Sequence, residues 1–181
     1  MGGPLKRISA SSTIFATRWF EVVAKKLDQE EEPYYSLRMP DYVTVLPVTA
    51  EHEVILVRQY RPALDSDSLE LPAGHVEADE SPEEAAAREL LEETNYQTDA
   101  IELLGYLHPD AGRLANLQWC FFAPNARLAN SARKQEAGIE VVVCPVPDFW
   151  GLISSSRLRH ALDLAAVSLA ILKKKLPPIG T

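Results

Sequence analysis

Cysteine is scarce in this chain, with two in 181 residues, and each lies inside an apolar run: Cys120 in LQWCFFA and Cys144 in VVVCPV. Such runs favour buried, reduced thiols in strands over a disulfide or a catalytic role. Histidine is scarce too. His52, His75, His108 and His160 stand apart with no metal-ligand spacing. Positive charge is in deficit: 18 Lys and Arg against 26 Asp and Glu leave a formal net charge of −8. That argues against a nucleic-acid binder, because recognition of a phosphate backbone needs a basic footprint. An anionic small molecule stays compatible, since metal ions can supply the positive field. No apolar stretch approaches membrane length. The N-terminus MGGPLKRISASSTIF has no continuous hydrophobic region, and Lys6 stands where myristoylation needs Ser or Thr. The expectation is a cytoplasmic protein with no membrane partner. There is no internal repeat, and low complexity is confined to the termini and to residues 125–137.

What remains is ordinary in bulk. An apolar content of 46% and a charged content of 24% fit a soluble globular protein. The length suits one domain with a sizeable core.

The informative stretch runs from Gly74 to Tyr96, GHVEADESPEEAAARELLEETNY. Ser81-Pro82-Glu83-Glu84 reads as a helix start: Ser81 can cap, Pro82 suits the first turn, and Glu84 closes a capping box. AAARELLEET then has high helix propensity. Glu89, Glu92 and Glu93 stand at i, i+3 and i+4, so their carboxylates crowd one helical face. Such a cluster is destabilising unless cations neutralise it. Arg88 lies four residues from both Glu84 and Glu92 and can offset part of the charge. Carboxylates without nearby His or Cys suit a hard divalent ion, Mg²⁺ or Mn²⁺, rather than zinc. A solvated acidic face is the bland reading of RELLEE alone. It leaves Gly74 and Glu80, at their fixed distances from the cluster, unexplained.

Elsewhere the chain reads as strands, a helix, more strands and a final helix. Residues 14–27 and 34–38 bracket the acidic turn DQEEEP and predict a peripheral hairpin. YVTVLPV (42–48) and EVILVRQYR (53–61) are rich in β-branched residues and predict core strands. A short strand is expected at Leu69–Leu71, the charged helix at 82–94, and strands at 100–108, 117–123 and 139–146. A short helix follows at 147–155. The last helix is expected at 158–175, with Leu158, Leu162, Ala165, Leu169 and Leu172 on one face. Lys173, Lys174 and Lys175 suit its C-terminal end, and Pro177-Pro178 stop it. The layout is mixed α+β, with helices able to sandwich a sheet.

Written as G-x5-E-x7-R-E-U-x-E-E-x-G-U, with U apolar, the Gly74–Tyr96 stretch resembles the Nudix box. Only Asn95 departs, standing where Gly is usual. Six specified residues at average usage recur by chance about once in ten million starting points. VRQYR (57–61) followed by LELPAG (69–74) is similar to the ADP-ribose and nucleoside-diphosphate-sugar pyrophosphatase subgroup. The resemblance implies a Nudix-type α/β/α sandwich, a mixed sheet between helices, over residues 41–181. It also implies an N-terminal β-hairpin extension over residues 1–40 that contacts a partner in a homodimer.

The site residues follow from the same resemblance. Metal would be held by the backbone carbonyl of Ala73 with Glu89 and Glu93, Glu92 lying beside or bridging the ions. Glu80 and Arg88 would orient that set. Arg61 matches an arginine that contacts substrate phosphate, against the alternative of a surface arginine before Pro62. Glu70, in LELPAG, joins the substrate-binding candidates. Trp19 resembles an aromatic that stacks on the nucleobase, the competing reading being a core tryptophan of an edge strand. Glu136 in ARKQEAGIE is the candidate general base, with Glu92 the alternative, and Glu140 is expected to be structural. His108-Pro109-Asp110-Ala111-Gly112-Arg113 stands where the subgroup has Ser-Pro-Gly. Pro109 is thirteen residues beyond Tyr96, closer than in ADP-ribose enzymes, so the glycosyl specificity is open and His108 could reach substrate.

The implied activity is Mg²⁺-dependent hydrolysis of the diphosphate bond of a nucleoside-diphosphate sugar, ADP-ribose first, giving AMP and ribose 5-phosphate. Mn²⁺ could substitute, and no organic cofactor is needed. A nucleoside triphosphate or a dinucleotide as substrate is the alternative within the family. A nucleotide-sensing Nudix domain without turnover is a second, and it would commonly lack box glutamates that are present here. A purely structural role leaves the carboxylate cluster unexplained. The expected mechanism is attack of a metal-activated water on phosphorus, with a carboxylate taking the proton.

Overall fold

The computed structural model describes residues 6–130 and 136–177. Part of the 125–137 loop and Pro178 therefore lie outside the described residues. The chain divides into two compact units. One runs to Asp41 and includes His108–Leu117; the other comprises Tyr42–Leu107 and the chain from Gln118 onward.

The first unit is an antiparallel meander of β1 (Ile8–Ala16), β2 (Glu21–Leu27) and β3 (Tyr34–Arg38). The run expected as one strand, 14–27, is broken at Thr17–Phe20. The Thr17 hydroxyl accepts the amide hydrogens of Trp19 and Phe20, and Thr17 N–H donates to Phe20 O. A hydroxyl thus does the work that Gly or Asn usually announces in sequence. His108–Leu117 is tied to β3 by Leu37 N–H to Arg113 O at 2.8 Å and Ala115 N–H to Leu37 O at 3.0 Å. The Arg113 guanidinium lies 4.7 Å from the centre of the Tyr34 ring.

The second unit is built on a mixed sheet in the order β7 (Ala73–His75), β4 (Tyr42–Pro47), β10 (Gln118–Ala123), β9 (Glu102–Leu107). The central pair, β4 and β10, is parallel and its neighbours are antiparallel. A three-stranded antiparallel sheet, β12 (Ile139–Pro145), β5 (Glu53–Arg61) and β6 (Ser66–Glu70), stands beside it. β8 (Tyr96–Gln97) pairs with β11 (Arg127–Leu128).

Strand alternation assigns each face of the mixed sheet to a helix. Val43, Val45, Phe121 and Ala123 form one core cluster with Ala85, Ala86 and Leu90 of α1 (Pro82–Thr94). Leu46, Cys120 and Phe122 point the other way. They join Ala166, Val167 and Ala170 of α3 (Ala161–Leu172) and Val146, Phe149 and Trp150 of α2 (Val146–Ser154). This is the expected α+β sandwich. Both cysteines are buried, free thiols, and burial pushes Cys120 up to about 12.

The last helix departs from expectation. His160, not Leu158, stands at its start, and it ends at Leu172. Its buried face is Asp163, Ala166, Val167 and Ala170, whereas Leu172 is 78% exposed. The leucine stripe missed this register because the small residues take the positions against the sheet, and one of them is a carboxylate. The lysines lie past the helix and reach back to β9: Lys175 pairs with Glu102, and Lys173 Nζ donates to Leu103 O at 3.3 Å.

Candidate active site

α1 begins as expected. Ser81 Oγ accepts Glu84 N–H at 3.2 Å, and the Glu84 carboxylate accepts Ser81 N–H at 2.8 Å. At the other end Asn95 takes φ 60° and ψ 14°, the left-handed region, and its N–H donates to Leu91 O. That is the conformation a glycine at this box position would supply. The box therefore keeps its backbone path through its one departure.

Glu89 and Glu93 turn inward, 9% and 4% exposed, while Glu92 is half exposed. Each inward carboxylate meets backbone from the segment before the helix. Glu93 Oε2 accepts Ala73 N–H at 3.0 Å. Glu89 lies directly over Gly74, where an added Cβ would sit 1.9 Å from Glu89 Oε1. Only glycine permits that approach.

Arg88 crosses the cluster. It donates to Glu80 from Nε (3.1 Å) and Nη2 (2.6 Å), to His75 O (2.9 Å), to Glu89 Oε1 (2.7 Å) and to Glu92 Oε2 (3.2 Å). The Glu80 hydrogen bonds, ahead of the others, raise its pKa above the ordinary arginine value. One cation therefore serves Glu80, Glu89 and Glu92.

Burial shows in the acid strengths. Burial, with Glu89 and Glu136 adding repulsion, pushes Glu93 up to about 8 despite the Ala73 hydrogen bond and the Arg61 charge. Glu89 is also raised by burial, with Arg88 opposing. Glu136 N–H donates to Glu92 O at 3.2 Å, so the loop before β12 meets the cluster.

Arg61 ends β5 and grips Glu70 of β6 through Nε at 3.0 Å and Nη2 at 2.5 Å. Glu70 is 3% exposed. Burial alone would raise its pKa, but Arg61 and Ser68 hold it below the usual carboxylate value. Its carboxylate is thus committed to Arg61. Glu140 ion-pairs with Arg58 across β12 and β5.

The other two candidates belong to the first unit. Trp19 is 56% exposed, in the turn between β1 and β2, with the Arg18 guanidinium 4.4 Å from its ring centre. It is not a core residue of a strand. His108 is exposed.

No motif in the sequence singles out Asp163, or His160 as its partner. Asp163 is fully buried; its Oδ2 accepts Leu71 N–H and its Oδ1 lies 2.9 Å from His160 Nδ1. The available signal was His-x-x-Asp at a helix start, weak without knowing which face is buried.

The sequence pattern of the NUDIX domain matches residues 39–160. The chain belongs to the NUDIX domain family. ADP-ribose pyrophosphatase of Bacillus subtilis (strain 168) is 30% identical over 77% of this chain and 77% of its own length. ADP-sugar pyrophosphatase of Mus musculus is 54% identical over 34% of this chain and 30% of its own length. In overall fold the chain is similar to a crystal structure described as an ADP compounds hydrolase, with a TM-score of 0.80, 21% identity and 97% of each chain covered.

Nudix hydrolases generally use divalent metal ions. Among the described residues, no three Asp, Glu, His or Cys side chains converge as a ready-made metal cage. The donor set nevertheless fits a hard cation. Glu89 and Glu93 offer only oxygen, and burial strains Glu93 toward its protonated form, a condition that a bound cation relieves. A hard cation such as Mg²⁺ commonly takes one or two carboxylates and keeps several waters, so two buried Nudix glutamates suffice.

Proposed function

We propose that this Nudix protein hydrolyses the diphosphate bond of nucleoside-diphosphate sugars, ADP-ribose first, to AMP and ribose 5-phosphate, using Mg²⁺ with Mn²⁺ able to substitute. The observation that carries this reading is the pair of buried carboxylates, Glu89 over Gly74 and Glu93 on Ala73 N–H, in a charge field that reaches Arg61. The names of the relatives in Bacillus subtilis and Mus musculus support the substrate class.

Glu89, Glu93 and the Ala73 carbonyl would hold the cation, with Glu92 beside them. Bound there, it supplies an acidified water and neutralises charge on the phosphate oxygens. Arg61 steadies the diphosphate, and Glu70 keeps that guanidinium aimed. Arg88 fixes Glu80, Glu89 and Glu92 relative to one another. Water attacks phosphorus, a new P–O bond forms and the bridging P–O bond breaks. Glu136 or Glu92 takes the water proton, and both lie at the C-terminal half of α1 or against it.

We further propose a cytoplasmic homodimer in which the N-terminal extension, residues 1–40, contacts the partner, and in which Trp19 and His108 contribute to nucleotide recognition. The support is exposure: every residue of β1 is exposed, and Ile8, Ile14, Phe15, Trp19 and Tyr35 are each between 47% and 56% accessible. An apolar strand edge of this kind ordinarily acquires a cover. No described helix is long and apolar enough to cross a membrane.

The deciding experiment is turnover of ADP-ribose, ADP-glucose, GDP-mannose and UDP-glucose with identification of the products. AMP and ribose 5-phosphate in Mg²⁺, and none in excess chelator, is the expected result. Absence of turnover on all four, or full activity in chelator, removes the proposal.

A further inference from the structure

We propose that Asp163 and His160 are positioning residues of the diphosphate site, holding the Glu70–Gly74 segment and, through it, the Arg61–Glu70 pair. This rests on the hydrolase reading above.

A fully buried carboxylate is costly unless it is paired and hydrogen-bonded. On α3 the other inward residues are Ala166, Val167 and Ala170, so an apolar residue at 163 would pack more simply. Both oxygens of Asp163 have specific partners instead. Oδ2 accepts Leu71 N–H at 2.9 Å from 92 residues away, and Oδ1 meets His160 Nδ1 at 2.9 Å.

The segment gripped in this way is the one that carries the site. Glu70 holds Arg61. Pro72 has no N–H to give, but its carbonyl accepts Val45 N–H at 2.9 Å. Ala73 N–H goes to Glu93, and Gly74 lies under Glu89. Leu71 is thus the midpoint between the arginine side and the carboxylate side, and its amide is tied to α3.

Asp163 is itself held firmly. Gln118 Nε2 donates to Leu162 O and to Thr44 Oγ1, each at 2.9 Å, fixing the first turn of α3 to the mixed sheet. His160 is half-buried. The Asp163 hydrogen bond raises its pKa against the effect of burial, with Glu70 adding and Arg61 opposing. The charged or titratable groups facing the pair are Arg61 and Glu70 from β5 and β6, and Tyr42 and Cys120 from the mixed sheet. A displacement of Leu71 reaches both halves of the site, and misplacement by about 1 Å can cost on the order of a hundredfold in rate.

The test compares full-length parent, Asp163→Ala, Asp163→Asn and His160→Gln in ADP-ribose hydrolysis. Leu71 amide and Arg61 Nε–H signals are recorded by ¹⁵N NMR without substrate. Asp163→Ala should lower kcat and raise KM by roughly tenfold or more. Asp163→Asn keeps an acceptor for Leu71 N–H and should restore kcat to within a few-fold. His160→Gln should raise KM in a protein that still folds. Both NMR signals should move in Asp163→Ala and barely move in Asp163→Asn. Parental kcat and KM in both Asp163→Ala and His160→Gln, with an unmoved Arg61 signal, overturn the proposal whatever their melting temperatures. If Asp163→Ala does not fold, His160→Gln decides, and a parental KM there overturns it. A parent with no turnover of any nucleoside-diphosphate sugar removes the hydrolase reading instead, and the NMR signals then judge the positioning role.

Discussion

Glu89 occupies the space that any side chain on residue 74 would need, its carboxylate oxygens lying 1.9 Å and 2.5 Å from the position of a Cβ there. The overlapping atoms are the far end of a flexible side chain, so a methyl group at 74 displaces the carboxylate rather than the backbone. Gly74→Ala should therefore fold, bind a divalent ion more weakly, and lose about a hundredfold in kcat/KM. Circular dichroism with Mn²⁺ titration by electron paramagnetic resonance checks this. Parental Mn²⁺ affinity in Gly74→Ala would show that Glu89 is not a ligand.

Glu93 predicts a pH effect with a definite sign. Its folded-state pKa of about 8 exceeds the ordinary 4.5, so between those values the folded state holds a proton that the unfolded state has released. Metal-free stability should fall as pH rises through roughly 4.5 to 8, and stay low above that window. Glu93→Gln cannot ionise and still accepts the Ala73 N–H. In chelator at pH 8–9 it should melt about 5–10 °C above the parent, with no difference near pH 4.5. A saturating divalent ion should narrow the gap by stabilising the parent. The same variant should lose turnover by orders of magnitude. Identical melting profiles for the two proteins across pH 4.5–9 in chelator would contradict this account.

Asn95 sits at φ 60°. Asn tolerates that region better than other non-glycine residues. Asn95→Gly should be near neutral or mildly stabilising, with turnover within a few-fold of the parent. Asn95→Val should cost about 1–2 kcal/mol in denaturant unfolding. Loss of catalysis in Asn95→Gly would give the residue a different role.

The exposed strand β1 predicts self-association. Sedimentation should show a dimer at micromolar concentration, and removal of residues 1–38 should yield a monomer of reduced activity. A monomeric full-length chain whose activity is indifferent to the deletion would refute the dimer and the contribution of Trp19.

Much of the charged helix could be read directly. Its cap, its span and its left-handed end are local: Ser81, Pro82, Glu84 and Asn95 act within a few residues of themselves, so spacing along the chain is enough. The carboxylate cluster was legible for the same reason, since i, i+3 and i+4 positions share a face in any helix. The strand order of the mixed sheet and the depth of each face followed only in outline, because alternation says which residues share a side but not what covers it.

Sequence alone therefore determined the chemistry available: a hard-cation donor set, an arginine to cross it, and a family whose reactions use both. Tertiary structure decided which of those groups are buried and what each one meets. Glu93 accepts the Ala73 amide, while Arg88 serves Glu80, Glu89 and Glu92. Glu70 is committed to Arg61, and Asp163 reaches Leu71 across 92 residues. Those pairings depend on how β5, β6 and α3 come together. The energy of a buried charge depends on its surroundings in space, which spacing along a chain does not encode.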